Sequence, residues 1–312
     1  MILFTADWHI KLGQKNVPVD WAVNRYNLFL QQLTEIPHSM HIVGGDIFDK
    51  LPSLAELAIF FKFVQQCKVE TLIYDGNHEA TRKGETFLTA LKDVVSALNP
   101  NVKILDDGYE CREFMVLPYT DLHKKGYIET ISSEYVIFTH VRGEIPPHVK
   151  PEVDLERFER FPIVYAGDLH SHSNSQRNIV YPGSPMTTSF HRNNVETGYI
   201  LIDENDLTKW TWHPFKLPQL IRKTVSSVEE MVPTSYDHTI YEIEGDLQQL
   251  STVESSELLD KKIVKRNTEV TIDLKDKTIP EELDIYLDKV LKLPANTRSD
   301  VLEIFNAYHG RS

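Results

Sequence analysis

Cysteine, long apolar runs and positive charge are all scarce in this sequence, and each scarcity excludes something. Cys67 and Cys111 are the only cysteines. Two lone thiols suit reduced structural roles and argue against a disulfide framework or a thiolate zinc site. No apolar run approaches the roughly 20 residues a membrane-spanning helix needs. The opening stretch, Met1-Ile2-Leu3-Phe4-Thr5-Ala6-Asp7, has no basic n-region and too short an apolar core for a secretory signal, so a cytoplasmic protein is expected. Lys and Arg number 33 against 46 Asp and Glu, a net charge of −13. Binders of polyanions usually carry a basic footprint, and this chain carries the opposite. The remaining composition, 41% hydrophobic and 25% charged, is that of an ordinary globular protein. Its 312 residues suggest a core domain with an appendage.

Up to about Ile202, short β-rich apolar runs alternate with helical stretches. Strands are predicted at Ile2–Thr5, His41–Val43, Thr71–Tyr74, Phe114–Leu117, Tyr135–Thr139, Ile163–Ala166, Ile179–Tyr181 and Tyr199–Ile202. Helices are predicted at Asp20–Ile36, Ser53–Gln66 and Thr86–Leu98, from apolar residues at i, i+3, i+4 spacing. This alternation indicates an α/β layered domain, in which ligands gather at the carboxyl ends of strands. From about Leu217 the texture changes. Strands at His238–Glu244 and Thr268–Leu274, with a helical stretch near Leu247–Lys262, read as a small α+β appendage. Glu281–Leu293 and Thr297–Tyr308 then read as two helices split by Pro294, with Pro280 in a first turn and Thr297 with Asp300 as a cap.

The strand ends carry the chemistry. Asp7-Trp8-His9 follows the first strand, Gly44-Gly45-Asp46-Ile47-Phe48-Asp49 the second, and Gly76-Asn77-His78-Glu79 the third. His140 ends the Tyr135–Thr139 strand, and Gly167-Asp168-Leu169-His170-Ser171-His172 follows Ile163–Ala166. Core packing does not explain five strands that each deliver metal-compatible side chains at one end. Two cations about 3.5–4 Å apart clamp the attacking and leaving oxygens of a phosphoryl displacement. One carboxylate must bridge them, and Asp46 is the natural candidate. Asp7 and His9 can grip one ion together, and mixed carboxylate, imidazole and amide ligands suit Mn²⁺ or Fe²⁺. Asp49 reads as a turn or cap residue. His38, His41, His123, His148, His213, His238 and His309 read as solvated or ordinary core groups.

In order, these segments resemble the D-x-H, G-D-x-x-D, G-N-H-[D/E], H and G-H-x-H motifs of the calcineurin-like metallophosphoesterase superfamily. The resemblance spans roughly residues 1–202. It implies an α/β fold, a layered β-sandwich flanked by helices. Position by position, it implies that Asp7, His9, Asp46 and His170 hold one divalent ion, most naturally Mn²⁺. Asp46, Asn77, His140 and Asp168 would hold the second. The last motif departs from the pattern, since Asp168 stands where a histidine is usual. A shift of register by two would use His170 and His172 instead, and otherwise His172 is a spare residue supporting the ligands. His78 matches the histidine that stabilises the transition state or protonates the leaving oxygen.

Substrate is less legible. The superfamily includes protein phosphatases and small-molecule phosphodiesterases as well as nucleases, so a phosphodiesterase or phosphatase remains the competing reading. Against the Ser/Thr phosphatases, Asp49-Lys50-Leu51 replaces their Asp-Arg-Gly. Tyr181-Pro182-Gly183-Ser184-Pro185 resembles the Tyr-x-Gly-Ser-Pro segment of SbcD-type DNA repair and recombination nucleases, whose compact versions are phage-encoded. It is expected to present backbone N–H groups and the Ser184 hydroxyl toward a phosphate. The resemblance implies a nuclease domain (1–215), a small α+β capping domain (216–279) and a helical tail (280–312). The tail would bind an SbcC-like ABC-type ATPase through Leu283, Tyr286, Leu287, Val290, Leu291, Val301, Leu302, Phe305 and Tyr308. The resemblance further implies an exo/endonuclease that homodimerises through Ser53–Gln66 and Thr86–Leu98, with Phe60, Phe61 and Phe63 suited to the contact. Lys11, Lys15, Lys50, Arg82, Lys83, Arg142, Arg177 and Arg192 are candidate contacts to DNA phosphates, with Ser184 beside them. The acidic total fits a grip on DNA that a partner or bound metals assist.

Overall fold

Strand alternation decides the architecture. The computed structural model describes residues 1–81, 85–264 and 277–309, without the side chains of residues 308 and 309. In chain order the elements are β1 (Ile2–Thr5), α1 (Val19–Glu35), β2 (Met40–Gly44), α2 (Leu54–Gln66), β3 (Glu70–Tyr74), α3 (Lys92–Leu98), β4 (Val102–Leu105), β5 (Tyr109–Cys111) and β6 (Phe114–Leu117). Then come α4 (Tyr119–Leu122), α5 (Tyr127–Thr130), β7 (Val136–His140), β8 (Val164–Gly167), β9 (Ile179–Val180), β10 (Gly198–Asp203), β11 (Asp206–Pro214) and β12 (Leu220–Val225). The last are β13 (His238–Gly245), α6 (Leu247–Thr252), β14 (Leu259–Val264), α7 (Ile279–Lys289) and α8 (Ala295–His309).

One sheet has the order β11-β10-β1-β2-β3-β4 and a second the order β5-β6-β7-β8-β9. Strands β1 to β4 run parallel, as do β6 to β9. Because side chains alternate faces along a strand, each strand is apolar on both sides. Phe4, Ile42, Leu72 and Tyr74 of the first sheet meet Phe114, Val116, Phe138 and Tyr165 of the second in one buried cluster. Their neighbours Leu3, Val43 and Ile73 face outward, where Tyr26, Phe29, Phe60 and Phe63 of α1 and α2 cover them. Met115, Leu117, Ile137 and Val164 do the same on the far side of the second sheet. The result is the expected α/β sandwich with helices on its faces.

α2 starts at a capping box, in which Ser53 accepts from the Glu56 N–H while Glu56 returns to Ser53. Predicted elements differ from the observed ones in several places. The helix over Thr86–Leu98 is a 3-10 turn (Phe87–Leu91) followed by α3. The helical stretch near Leu247–Lys262 is helical only through Thr252, and Leu259–Val264 is a strand paired into the order β12-β13-β14. α7 begins at a Thr278–Glu281 capping box with Pro280 in its first turn, whereas α8 begins at Ala295 and puts Thr297 inside the helix. The predicted strand Thr268–Leu274 lies outside the described residues.

The chain divides into two compact units. One holds Met1–Glu242 with Ser255–Lys261, and the other Ile243–Glu254 with Lys262–Ser312. In the second unit α7 packs on α8, burying Leu287, and Arg298 on α8 pairs with Asp288 at 2.5 Å. Among the described residues, no helix is long and apolar enough to cross a membrane.

Candidate metal centre

Parallel strands of both sheets end at one edge, and tight backbone turns aim the side chains that follow. Asp7 (φ 58°), His9 (φ 44°), Asp46 (φ 50°) and Asp168 (φ 104°) all have positive φ. Such conformations are uncommon outside glycine and are retained only where the surroundings fix them. Backbone bonds tie the first two turns together: Asp7 N–H donates to Gly45 O at 3.0 Å and His9 N–H to Asp46 O at 2.9 Å. Gly76 passes so close that a Cβ there would sit 2.2 Å from Asp46 Oδ1, which enforces glycine.

The side chains converge. His9 Nε2 lies 3.0 Å from His170 Nε2 and 3.6 Å from Asp46 Oδ2. His140 Nε2 lies 3.5 Å from Asp46 Oδ2 and 3.0 Å from Asn77 Oδ1. Among the described residues, three groups have donor atoms within 4.8 Å of one another: Asp7, His9 and His170; His9, Asp46 and His78; and Asp7, Asp46 and His140. Asp7, His9 and Asp46 each belong to two of them, and one oxygen of Asp46 lies against both His9 and His140, as a bridging carboxylate must.

Hydrogen bonding tests whether this set fits metal ions. His140 donates its Nδ1–H to Gly44 O at 2.8 Å, so the lone pair of the neutral ring is on Nε2. Nε2 then faces the amide oxygen of Asn77 at 3.0 Å and a carboxylate oxygen of Asp46 at 3.5 Å, so three acceptors converge. A positive species must resolve that repulsion, either a cation or a proton on the ring. Without metal a proton takes the place. Burial opposes the charged imidazole, but Asp46, Asp7 and Asp168 outweigh it and hold the pKa of His140 well above its ordinary value. Burial likewise pushes the carboxyl of Asp7 well up, relieved in part by His140. Asp46, although burial disfavours its charge, is held below the usual range by His140, His9 and His78. Burial pushes His9 down to about 3, so it offers a neutral imidazole. The donor set suits divalent cations.

His78 stands at the rim. It donates Nδ1–H to Asp49 O at 2.6 Å, leaving Nε2 3.9 Å from Asp46 Oδ2 with the side chain 37% exposed. Asp49, read in the sequence as a turn residue, thus orients His78 through its carbonyl. Its carboxylate pairs with Lys11 at 2.8 Å.

Three expectations change. The Asp168 carboxylate joins none of the three groups among the described residues. It is paired with the fork of Arg142, at 3.2 and 3.3 Å, while its N–H donates to Asp7 at 3.0 Å. His172 sits away from the centre, bonded through Nδ1 to Tyr181 O at 2.7 Å and stacked on Trp212 at 5.3 Å, so the shifted register finds no support. Ser184 is buried, and its hydroxyl lies 2.7 Å from Asp7 O and 2.6 Å from Met186 O, so it does not face a phosphate. Its N–H donates to His170 O at 3.1 Å. The Tyr181–Pro185 segment therefore buttresses the loops that carry Asp7 and His170.

The basic candidates scatter. Lys11 and Arg142 lie at the centre, Arg177 pairs with Glu159, and Arg192 pairs with Glu242 at 2.8 Å. Arg82 and Lys83 lie outside the described residues. Phe60 and Phe63 are buried in the core, which leaves Phe61 as the partly exposed one of the three.

Sequence reasoning did not single out Glu79. It is fully buried, and Oε2 accepts from Asp46 N–H and Gly76 N–H at 2.9 Å each while Oε1 accepts from Phe48 N–H at 2.9 Å. One carboxylate thus binds two ligand loops. Burial and then Asp46 push its pKa up to about 8 in the metal-free chain. Its place after Asn77-His78 was the available signal.

No family model matches the chain. It is 41% identical over 305 residues to the probable exonuclease subunit 1 of Escherichia phage T5, an alignment covering 94% of this chain and 93% of the relative. Among solved structures it resembles TT1561 of Thermus thermophilus, with a TM-score of 0.45 and 12% identity, covering 68% of this chain and 97% of that one. It also resembles the Pseudomonas putida nuclease MPE, with a TM-score of 0.30 and 16% identity, covering 55% and 62%. Membership rests on the phage relative, which matches along nearly the whole length of both chains. This chain belongs to the family of that phage exonuclease subunit and is a nuclease of the hydrolase class.

Proposed function

We propose that this nuclease is a Mn²⁺-dependent DNA exo/endonuclease that works in repair or recombination with an SbcC-like ABC-type ATPase. The convergence of Asp7, His9, Asp46, Asn77, His140 and His170, with acceptors facing one another at about 3 Å, carries the reading. In it, Asp7, His9, Asp46 and His170 hold one ion, and Asp46, Asn77 and His140 the other. Asp168 would join the second only by leaving Arg142. Bound divalent ions would supply Lewis-acid stabilisation of the phosphoryl oxygens and lower the pKa of the attacking water. The Nδ1–H bond to Asp49 O supports His78 as the residue that, when protonated, gives its Nε2 proton to the leaving oxygen. Arg142, 37% exposed and fixed by Asp168, is suited to bind a phosphate oxygen with its remaining N–H groups.

The phage relative is named as a subunit, which supports a complex. Exposed Tyr286 on α7, Val290 and Leu291 just after it, and Ile304 on α8 support docking of the 280–312 tail in a partner groove. Homodimerisation along α2 is supported by exposed Leu51 and Leu54. The division at residues 215 and 279 into nuclease, capping and tail parts belongs to the same proposal. The test incubates the protein with Mn²⁺ and end-labelled linear duplex DNA, beside p-nitrophenyl esters. Intact DNA with rapid monoester turnover would refute it. Deleting 281–312 should abolish copurification of an ATPase, and unchanged association would refute the tail's role.

A further inference from the structure

In a chain of net charge −13, one concave surface sorts its charges by depth. Glu242 on β13 is fully buried, yet three cations reach it. Arg192 lies 2.8 Å from Oε2, Lys261 2.8 Å from Oε1, and Arg222 3.5 Å from Oε1. Arg222 also pairs with Asp260 at 2.9 Å, and Arg192 donates to Thr224 Oγ1 at 2.6 Å. The carboxylates point inward, with side-chain exposures of 0% for Glu242 and 13% for Asp260. Arg192 and Lys261 point outward, at 62% and 54%. Two carboxylates, Glu242 and Asp260, face three cations, and Arg222 is matched by Asp260, so Glu242 alone holds both Arg192 and Lys261, one cation more than an ion pair requires. Anions inside and cations outside fix guanidinium and ammonium groups in place while leaving their outer N–H donors toward solvent. Beside Arg192 lies an open hollow of about 690 Å³, its charged lining Arg192, Arg222 and Lys223 with one acid, Glu230.

The surface is joined to the metal centre by one short segment. Thr188 Oγ1 is 3.0 Å from His170 Nδ1, and Arg192 follows four residues later. Four residues span at most about 14 Å. At about 3.4 Å of duplex per nucleotide of one strand, that is roughly four base steps.

We infer that Arg192 and Lys261, organised on buried Glu242, hold the phosphate backbone of the DNA strand a few nucleotides from the cleavage centre. The inference rests on the nuclease reading above. It gives the acidic chain a local basic footprint and puts it on β14 and the loop before β10.

The test compares wild type, Arg192→Gln and Lys261→Gln as full-length protein. Binding of a labelled duplex is followed by fluorescence anisotropy in EDTA between 50 and 200 mM salt, and bis(p-nitrophenyl) phosphate turnover with Mn²⁺ checks the centre. Each lost phosphate contact should reduce the salt-dependent fall in affinity by about 3.5-fold over that range, with ester turnover unchanged. Unchanged salt dependence in both variants overturns the inference. If Arg192→Gln also loses ester turnover, Lys261→Gln decides alone, since Arg192 still holds Glu242 there. Inorganic phosphate or dAMP displacing DNA at micromolar concentration would mark a small-anion pocket and overturn it. Wild type that binds DNA through Arg192 yet leaves it uncut would sink the nuclease reading and spare this one.

Discussion

Replacing Glu79 by alanine should damage the molecule more than any single metal ligand would. Its two oxygens satisfy the N–H groups of Asp46, Gly76 and Phe48 in a fully buried position. Each buried N–H left without an acceptor costs about 1–3 kcal/mol, so alanine should cost about 3–9 kcal/mol before any cavity is counted. A domain of this kind is stable by only about 5–15 kcal/mol. Glutamine tells more. Its amide oxygen can keep the pair of bonds to Asp46 and Gly76 if its NH₂ turns toward Phe48, so one N–H is lost at about 1–3 kcal/mol. Because Asp46 is held at positive φ by this contact, both variants should also bind Mn²⁺ more weakly. Denaturant unfolding in EDTA and Mn²⁺ titration calorimetry measure the two effects. An alanine variant destabilised by less than about 1 kcal/mol, with metal affinity intact, would show that the loops hold each other and refute the clamp.

His78→Ala should lower DNA cleavage by about 10²–10⁴-fold with Mn²⁺ stoichiometry unchanged; loss of metal would refute its assigned role. His170→Ala should lose metal, whereas His172→Ala should retain it and lose only the stacking on Trp212, as calorimetry will read. Ser184→Ala should cost about 1–3 kcal/mol, by leaving a buried acceptor unpaired, and leave the salt dependence of DNA binding alone. A changed salt slope would restore Ser184 as a phosphate contact. Between about pH 6.5 and 8 the metal-free protein should lose stability as pH rises. Glu79, raised to about 8, and His140, also raised, hold protons in the native state that the unfolded chain releases. The lowered histidines His9, His41 and His170 act below that window, since their unfolded rings are already neutral within it. Saturating Mn²⁺ should flatten or reverse the trend, because ligands bind it deprotonated. A rise in metal-free stability across the window would contradict it.

The centre was legible because its chemistry is local in sequence. Asp7-x-His9, Gly45-Asp46 and Asn77-His78 each sit directly after a buried apolar strand, so period and motif point to the same edge. What stayed hidden is tertiary. Asp168 looks like a ligand from its motif, and only the fold shows Arg142 beside its carboxylate. Ser184 looks like a surface turn residue after Gly183, yet Asp7 and Met186 enclose it. Glu79 looks like an acidic variant of the motif's last position, and two of its three N–H partners, Asp46 and Phe48, come from one loop 33 and 31 residues away, the third, Gly76, from its own. The strand Leu259–Val264 reads as helix because Leu259-Asp260-Lys261-Lys262-Ile263-Val264 lacks a strand's alternation of polar and apolar residues and follows a true helical turn.

The positive φ values of Asp7, His9, Asp46 and Asp168 bear on how such a centre can drift and how it should be disabled. Outside glycine, the side chains that best tolerate this backbone are Asp, Asn and His, which are also the ones that ligate cations. Each position is therefore doubly specified, by turn and by metal. An inactive variant made with asparagine at Asp7 or Asp46 keeps the turn, whereas alanine removes turn and ligand together and confounds the two. The same overlap lets Asp168 persist for the sake of its backbone after its carboxylate has gone to Arg142.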